Sequence, residues 1–190
     1  TVQALRFLGA RIENIADDAW LVTGVGVGGL REPSQVLDLG NAGTGVRLLI
    51  GLVASHPFSS MFCGDGSLSA RPMERVMAPL RRMGANFTAR SGGLLPLTVH
   101  GSDMLVPLEE TLSVASAQVK SAILLAGMNT RGKTTVIEPA PSRDHTENML
   151  AHFGAEVTVQ DTVAGRAITL TGYPELLAKD IQVPADISSA

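Results

Sequence analysis

The chain has 190 residues, of which 45% are hydrophobic and 17% charged, so it can form an apolar core and is not typical of a disordered protein. Its net charge of −3 and its aromatic content of 4% argue against a nucleic-acid binder, which usually carries a basic surface and stacking aromatics. The single cysteine, Cys63, excludes a disulfide framework or a cysteine-based zinc cluster, and the longest apolar runs (residues 48–54 and 122–127) are far shorter than the roughly 20 residues of a membrane helix.

A sequence pattern of about 70 to 75 residues recurs along the chain, and repeats of this kind indicate repeated structural units. Each copy has a leucine four residues before a Gly-Ala pair, then an alternating segment that closes on Thr-Gly or on His-Gly. The pairs are Gly9-Ala10, Gly84-Ala85 and Gly154-Ala155. The period is too long for a solenoid, so we expect the units to pack around a common core.

The elements predicted along each unit are strand, helix, strand, helix, strand, strand. Residues 44–54 and 118–128 form apolar helices, and a second helix in the middle unit ends at Gly84, which suits a left-handed C-terminal position. Its helical spacing rests on five apolar residues: Met73, Val76, Met77, Leu80 and Met83. After each Gly-Ala pair the alternation predicts strands, as at residues 156–159.

These elements predict an α/β (α+β) fold: one pseudo-threefold domain built from βαβαββ units, with helices and mixed sheets. We divide it into a partial repeat at residues 1–30, full repeats at 31–106 and 107–180, and the beginning of a further unit at 181–190. The incomplete first and last units lead us to expect that the chain is part of a longer protein.

Two phosphate-binding patterns occur in the wrong structural context. Residues 127–134 match G-x-x-x-x-G-K-[ST], but a helix leads into the motif and a strand leads out, which is the reverse of a phosphate loop. Residues 24–29 match G-x-G-x-x-G, but no βαβ unit surrounds them. We interpret the first as a helix-to-strand turn with a surface lysine, Lys133, and the second as a connector.

Small polar residues precede three apolar helices, at residues 41–45, 113–118 and 142–147. Ordinary helix capping explains each one singly, including a capping box between Asp144 and Glu147. Together, three helix N-termini that converge with Arg71, Lys120 and Arg143 would hold an anion, for example a phosphorylated or carboxylated small molecule.

Four segments carry a family resemblance: Asn41–Arg47, Gly64–Met73, Ser116–Ser121 and Arg143–Glu147. In this order and spacing they resemble the EPSP synthases (3-phosphoshikimate 1-carboxyvinyltransferases) of the enolpyruvyl transferase family, over essentially the whole chain. The resemblance implies the fold predicted above, in a two-domain enzyme with the active site in the cleft between the domains. It implies that this chain is the incomplete N-terminal domain and that residues 181–190 are the start of the crossover to the other domain. It also implies a cytoplasmic, monomeric parent enzyme with no cofactor, metal, nucleic-acid or membrane partner.

The resemblance implies transfer of the enolpyruvyl group from phosphoenolpyruvate to the 5-hydroxyl of shikimate 3-phosphate, in the shikimate pathway of aromatic amino-acid biosynthesis. The residues matching the shikimate 3-phosphate site are Ser116, Ala117, Gln118 and Arg143. Those matching the phosphoenolpyruvate or glyphosate site are Asn41, Gly43, Thr44, Arg71 and Gln118. The catalytic acids are expected in the second domain, so we expect no turnover from this chain alone.

Gly43 stands where glyphosate-tolerant members often have alanine, so we expect a glyphosate-sensitive parent enzyme. The alternative is an enolpyruvyl transferase that acts on UDP-N-acetylglucosamine, which carries a reactive cysteine five residues before the equivalent of Arg71. That position is Gly66 here, and Cys63 lies elsewhere. A non-catalytic folding module is the remaining alternative.

Overall fold

A computed structural model describes residues 1–183. The helices are α1 (Val2–Phe7), α2 (Gly43–Ala54), α3 (Gly66–Ser69), α4 (Glu74–Met83), α5 (Ala117–Gly127) and α6 (His145–His152). The strands are β1 (Arg11–Ala16), β2 (Ala19–Thr23), β3 (Leu37–Asp38), β4 (Ser59–Cys63), β5 (Asn86–Arg90), β6 (Leu94–His100), β7 (Glu109–Thr111), β8 (Lys133–Glu138), β9 (Val157–Thr162) and β10 (Gly165–Thr171). The predicted crossover at 181–190 falls, from residue 184 onward, outside the described residues.

The two four-stranded sheets have the same strand order, which confirms the mixed α/β fold predicted from the repeat. One sheet runs β3-β4-β6-β5 and the other β7-β8-β10-β9. In each sheet the first two strands are parallel and the remaining pairs are antiparallel. The antiparallel pair β1-β2 follows α1 in the same way that the last two strands of each unit follow α4 or α6.

The predicted helix termini lie where the sequence places them, within one residue. Gly84 ends α4 with a left-handed φ of 113°, which a residue with a side chain rarely adopts. The pattern at residues 127–134 runs from the end of α5 into β8, with Lys133 exposed, and residues 24–29 lie outside helices and strands. Both interpretations of these motifs are confirmed.

Helix α5 lies at the centre of the molecule, where it packs against α2, α4 and α6. From Ala122 to Gly127 the helix is apolar on all sides, which is typical of such a buried position. Gly51 of α2 permits the close packing, because a Cβ at this position would lie 2.2 Å from the carbonyl oxygen of Ala122 in α5. This contact brings the N-terminal ends of α2 and α5 into one region. Within residues 1–183 no helix is long and apolar enough to cross a membrane.

His56 is buried just beyond the C-terminal end of α2, and burial lowers the pKa of its imidazole, with a partial opposing effect from the bond to Leu52. Its Nδ1 lies 3.1 Å from the carbonyl oxygen of Leu52. A folded-state pKa below the unfolded value of about 6.5 means that the unfolded chain binds more protons. The contribution of His56 to the free energy of unfolding is therefore fully present above pH 6.5 and is lost as the pH falls through its folded-state pKa.

We accordingly expect the free energy of unfolding to decrease between pH 7 and pH 5, and His56→Gln to flatten that decrease. Urea titrations at several pH values measure both slopes. His152→Gln, at an exposed histidine, is the matched control and should leave the slope unchanged. An equal slope for wild type and His56→Gln would contradict the assignment.

Candidate functional site

The start of α2 carries three of the candidate residues, Asn41, Gly43 and Thr44. The N-cap position is Ala42, whose side chain has no oxygen to accept a capping hydrogen bond. The first amides of a helix have no partner within the helix, and the helix dipole adds partial positive charge there. The start of α2 therefore presents hydrogen-bond donors that no side chain of the N-cap satisfies.

Arg71 reaches across to this helix start from the turn after α3. Its Nη2 donates to Oδ1 of Asn41 and to Oγ of Ser67, each over 3.3 Å. A Cβ added to Gly43 would lie 2.9 Å from Nη1 of Arg71. The absence of a side chain at Gly43 therefore allows the guanidinium to lie against the first turn of α2.

Arg47 belongs to the same cluster, and the sequence analysis assigned it no role. Its Nη1 donates to the carbonyl oxygen of Gly43 over 3.0 Å, and partial burial, followed by the charges of Arg71 and Arg75, lowers its pKa. A signal was present in the sequence, because a residue four positions after Gly43 lies on the same helix face. Three cations near one helix start make this region strongly positive.

The start of α5 lies beside the start of α2, and a single hydrogen bond joins them. Nε2 of Gln118 donates to Oγ1 of Thr44 over 2.8 Å, although the two residues are 74 positions apart. Ser116 is the N-cap of α5 and accepts a bond from the amide of Val119 over 3.5 Å. The half-buried residues Ser116, Ala117 and Gln118 thus form the turn that faces α2.

Arg143 lies apart from these contacts. It is exposed, two residues before α6, and makes no hydrogen bond within residues 1–183. The start of α6 is held against α5 by Oγ of Ser121 and Oγ1 of Thr146, which are 2.6 Å apart. The structure therefore brings Asn41, Gly43, Thr44, Arg71 and Gln118 together around the start of α2, whereas Arg143 is linked to Ser116 only indirectly, through α5, α6 and the side-chain contacts between them.

Two expectations for these helix starts are wrong. Asp144 is the N-cap of α6, but its side chain makes no capping bond, so the predicted capping box with Glu147 does not form. Lys120 is fully buried and pairs with Glu138 and Glu147, because its position in the first turn of α5 faces the core. Its charge is compensated there, so Lys120 is not one of the cations that could contact an anion in the cleft.

The described residues include no group of three or more histidine, cysteine, aspartate or glutamate side chains that could hold a metal ion. The chemistry that the region offers is recognition of anions: guanidinium groups, helix amides, a hydroxyl and a carboxamide around two neighbouring helix starts. Arginine is well suited to such a role because its planar fork pairs with two oxygens of a phosphate or carboxylate.

Comparison with known proteins shows that this chain is similar over its full length to proteins of one family. The model of the family described as EPSP synthase (3-phosphoshikimate 1-carboxyvinyltransferase) matches residues 1–190. The chain is 59% identical to the 3-phosphoshikimate 1-carboxyvinyltransferase of Paramagnetospirillum magneticum and 60% identical to that of Novosphingobium aromaticivorans. Each alignment covers 100% of this chain and 43% of the relative, so the chain spans less than half the length of these relatives.

A solved structure agrees with the sequence comparison. The EPSP synthase from Acinetobacter baumannii superposes with a TM-score of 0.92 at 45% identity, covering 99% of this chain and 42% of that one. The fold is thus the enolpyruvyl transferase fold. With a family model that matches from the first residue to the last, the chain belongs to the EPSP synthase family.

Proposed function

We propose that the protein containing this chain transfers the enolpyruvyl group of phosphoenolpyruvate to the 5-hydroxyl of shikimate 3-phosphate and releases inorganic phosphate. The observation that carries the proposal is the hydrogen bond from Gln118 to Thr44, beside Arg71. The bond joins the two segments that we assign to the two substrates, and this adjacency supports a reaction between two bound molecules.

In this proposal the chain supplies binding and orientation. Ser116 and Arg143 contact the phosphate of shikimate 3-phosphate, and Gln118 lies over its ring. Arg71, oriented by Asn41, binds the phosphate of phosphoenolpyruvate above the first turn of α2. Two anions held close together repel each other, and the cations Arg47 and Arg71 offset that repulsion.

The reaction is an addition followed by an elimination. The 5-hydroxyl oxygen bonds to C2 of phosphoenolpyruvate while C3 gains a proton, and then C3 loses a proton as the C2–O bond to phosphate breaks. The hydroxyl proton leaves to a base. We assign both proton-transfer groups to the part of the protein outside this chain, and we expect no turnover from this chain alone.

The test uses a chimera in which this chain replaces the matching residues of the Paramagnetospirillum magneticum relative. We expect it to release phosphate from the two substrates. Arg143→Ala should raise KM for shikimate 3-phosphate, and Arg71→Ala should raise KM for phosphoenolpyruvate, each about 10- to 150-fold, because a hydrogen bond to a charged group contributes about 1.5–3 kcal/mol.

The control for both variants is Arg131→Ala, at an exposed arginine in the turn after α5, which should change neither constant. The unaltered relative, assayed in parallel, shows that the assay works. A folded chimera without turnover, or variants indistinguishable from Arg131→Ala, would contradict the proposal.

Cys63 separates this proposal from an enzyme that uses a reactive cysteine. Cys63 ends β4 opposite Asp38 of β3, and burial, then the Asp38 carboxylate, raises the pKa of its thiol. Since the thiolate is the reactive form, Cys63 should be almost entirely protonated and unreactive at neutral pH.

We expect iodoacetamide to alkylate Cys63 more slowly than it alkylates glutathione at pH 7.5, as followed by mass spectrometry of this chain. Asp38→Asn should lower the pKa of the thiol and increase the rate severalfold, while Asp103→Asn, at an exposed aspartate, should not. Alkylation of wild type faster than glutathione would favour the cysteine-dependent alternative.

A further inference from the structure

Lys120 forms a buried ionic cluster with two glutamates. Its Nζ lies 3.0 Å from Oε2 of Glu138 and 2.6 Å from Oε1 of Glu147, and the three side chains are between 0% and 2% exposed. Lys120 belongs to α5, Glu138 is the last residue of β8, and Glu147 lies in the first turn of α6. The cluster therefore ties three elements together at one point.

The segment between β8 and α6 is attached to this cluster at both of its ends. Glu138 precedes the segment and accepts a hydrogen bond from the hydroxyl of Ser142 within it. Glu147 follows the segment, and Thr146 beside it is bonded to Ser121 of α5. Arg143 is an exposed residue of this attached segment, directly after Ser142.

Stability alone does not account for the cluster. One lysine faces two glutamates in the core, and Oε2 of Glu147 has no hydrogen-bond partner within residues 1–183. Burying charges is costly, and an apolar cluster of similar volume is often at least as stable. The charged contacts instead fix the relative positions of three elements, because Nζ of Lys120 contacts one oxygen from β8 and one oxygen from α6.

We propose that Lys120 is a positioning residue: by holding Glu138 and Glu147, it fixes the segment that carries Arg143 relative to the α5 turn that carries Ser116. The inference rests on the proposed function, because the alignment would let Arg143 and Ser116 contact the phosphate of the same shikimate 3-phosphate molecule. Lys120 itself does not touch the substrate.

The test compares the wild-type protein with the triple variant Lys120→Met, Glu138→Met and Glu147→Met, which removes all three charges with little change in volume. The control, Arg82→Met with Glu110→Met, removes a more exposed ion pair elsewhere. In this chain, we expect amide hydrogen exchange at Asn148, whose amide donates to the carbonyl oxygen of Asp144, to be at least tenfold faster in the triple variant, with exchange in α2 unchanged. In the chimera, we expect KM for shikimate 3-phosphate to rise at least tenfold and KM for phosphoenolpyruvate to stay within twofold.

Thr146→Val provides a second test if the triple variant does not fold. It breaks the bond to Ser121 and leaves the ions in place, and both readouts should move in the same direction by a smaller factor. A folded variant with wild-type exchange at Asn148 and wild-type KM values for both substrates would overturn the inference. Because hydrogen exchange needs no turnover, it still decides the positioning role if the wild-type chimera proves inactive and the proposed function fails.

Discussion

Replacing Lys120 by methionine is expected to lower the free energy of unfolding by about 3–5 kcal/mol, because the change leaves two buried carboxylates without their cation. Glu138 and Glu147 are fully or almost fully buried and are contacted by the same ammonium. Methionine fills nearly the same volume, so the loss is electrostatic and does not come from a cavity. Urea unfolding of this chain, followed by circular dichroism, measures it.

The control for this prediction is the surface pair formed by Arg11 and Glu13, whose side chains are both exposed. Arg11→Met should lower the free energy of unfolding by about 1 kcal/mol or less, since exposed ion pairs contribute little. Adding Glu138→Met and Glu147→Met to Lys120→Met should recover most of the lost stability. A loss below about 1 kcal/mol for Lys120→Met alone would show that the ammonium is not the partner of these carboxylates.

Gly43→Ala is expected to weaken glyphosate inhibition of the chimera by at least about tenfold and to raise KM for phosphoenolpyruvate. An added Cβ would lie 2.9 Å from Nη1 of Arg71, so the Arg71 guanidinium must move away from the helix start. Losing one hydrogen bond to a charged group costs about 1.5–3 kcal/mol, which corresponds to a factor of about 10 or more.

Helix propensity does not oppose the substitution, because alanine is a better helix former than glycine, and circular dichroism of the variant checks that it is folded. The matched control is Gly24→Ala, where an added Cβ meets nothing within 4 Å. Inhibition curves for wild type, Gly43→Ala and Gly24→Ala give the comparison. Equal inhibition of wild type and Gly43→Ala would contradict the role assigned to this position.

Local features of the fold could be predicted because they depend on residues close in sequence. The helical spacing of Met73 to Met83 and the glycine at position 84 determine α4 and its end without reference to the rest of the chain. The repeat extended this argument, because elements recognised in one unit could be expected at the equivalent positions of the next unit. The two sheets of identical strand order are the structural form of that repetition.

The partners of single side chains could not be predicted in the same way. Lys120 and Arg143 both stand near helix starts in the sequence, yet one is buried and the other exposed. Lys120 is buried because its face of α5 packs against β8 and α6. Its acidic partners on those elements, Glu138 and Glu147, are 18 and 27 residues away in sequence. The bond between Gln118 and Thr44 spans 74 residues and follows from the packing of α2 on α5.

The central claim is that the starts of α2 and α5, with Arg143, form a preformed site for a phosphorylated substrate. Its most direct test is an amide-shift NMR titration of this chain with shikimate 3-phosphate, with inorganic phosphate as the control. We expect saturable shifts at Ser116, Gln118 and Arg143, at lower concentrations than phosphate requires. A well-dispersed spectrum without saturable shifts at these residues, or with equal affinity for phosphate, would contradict the claim.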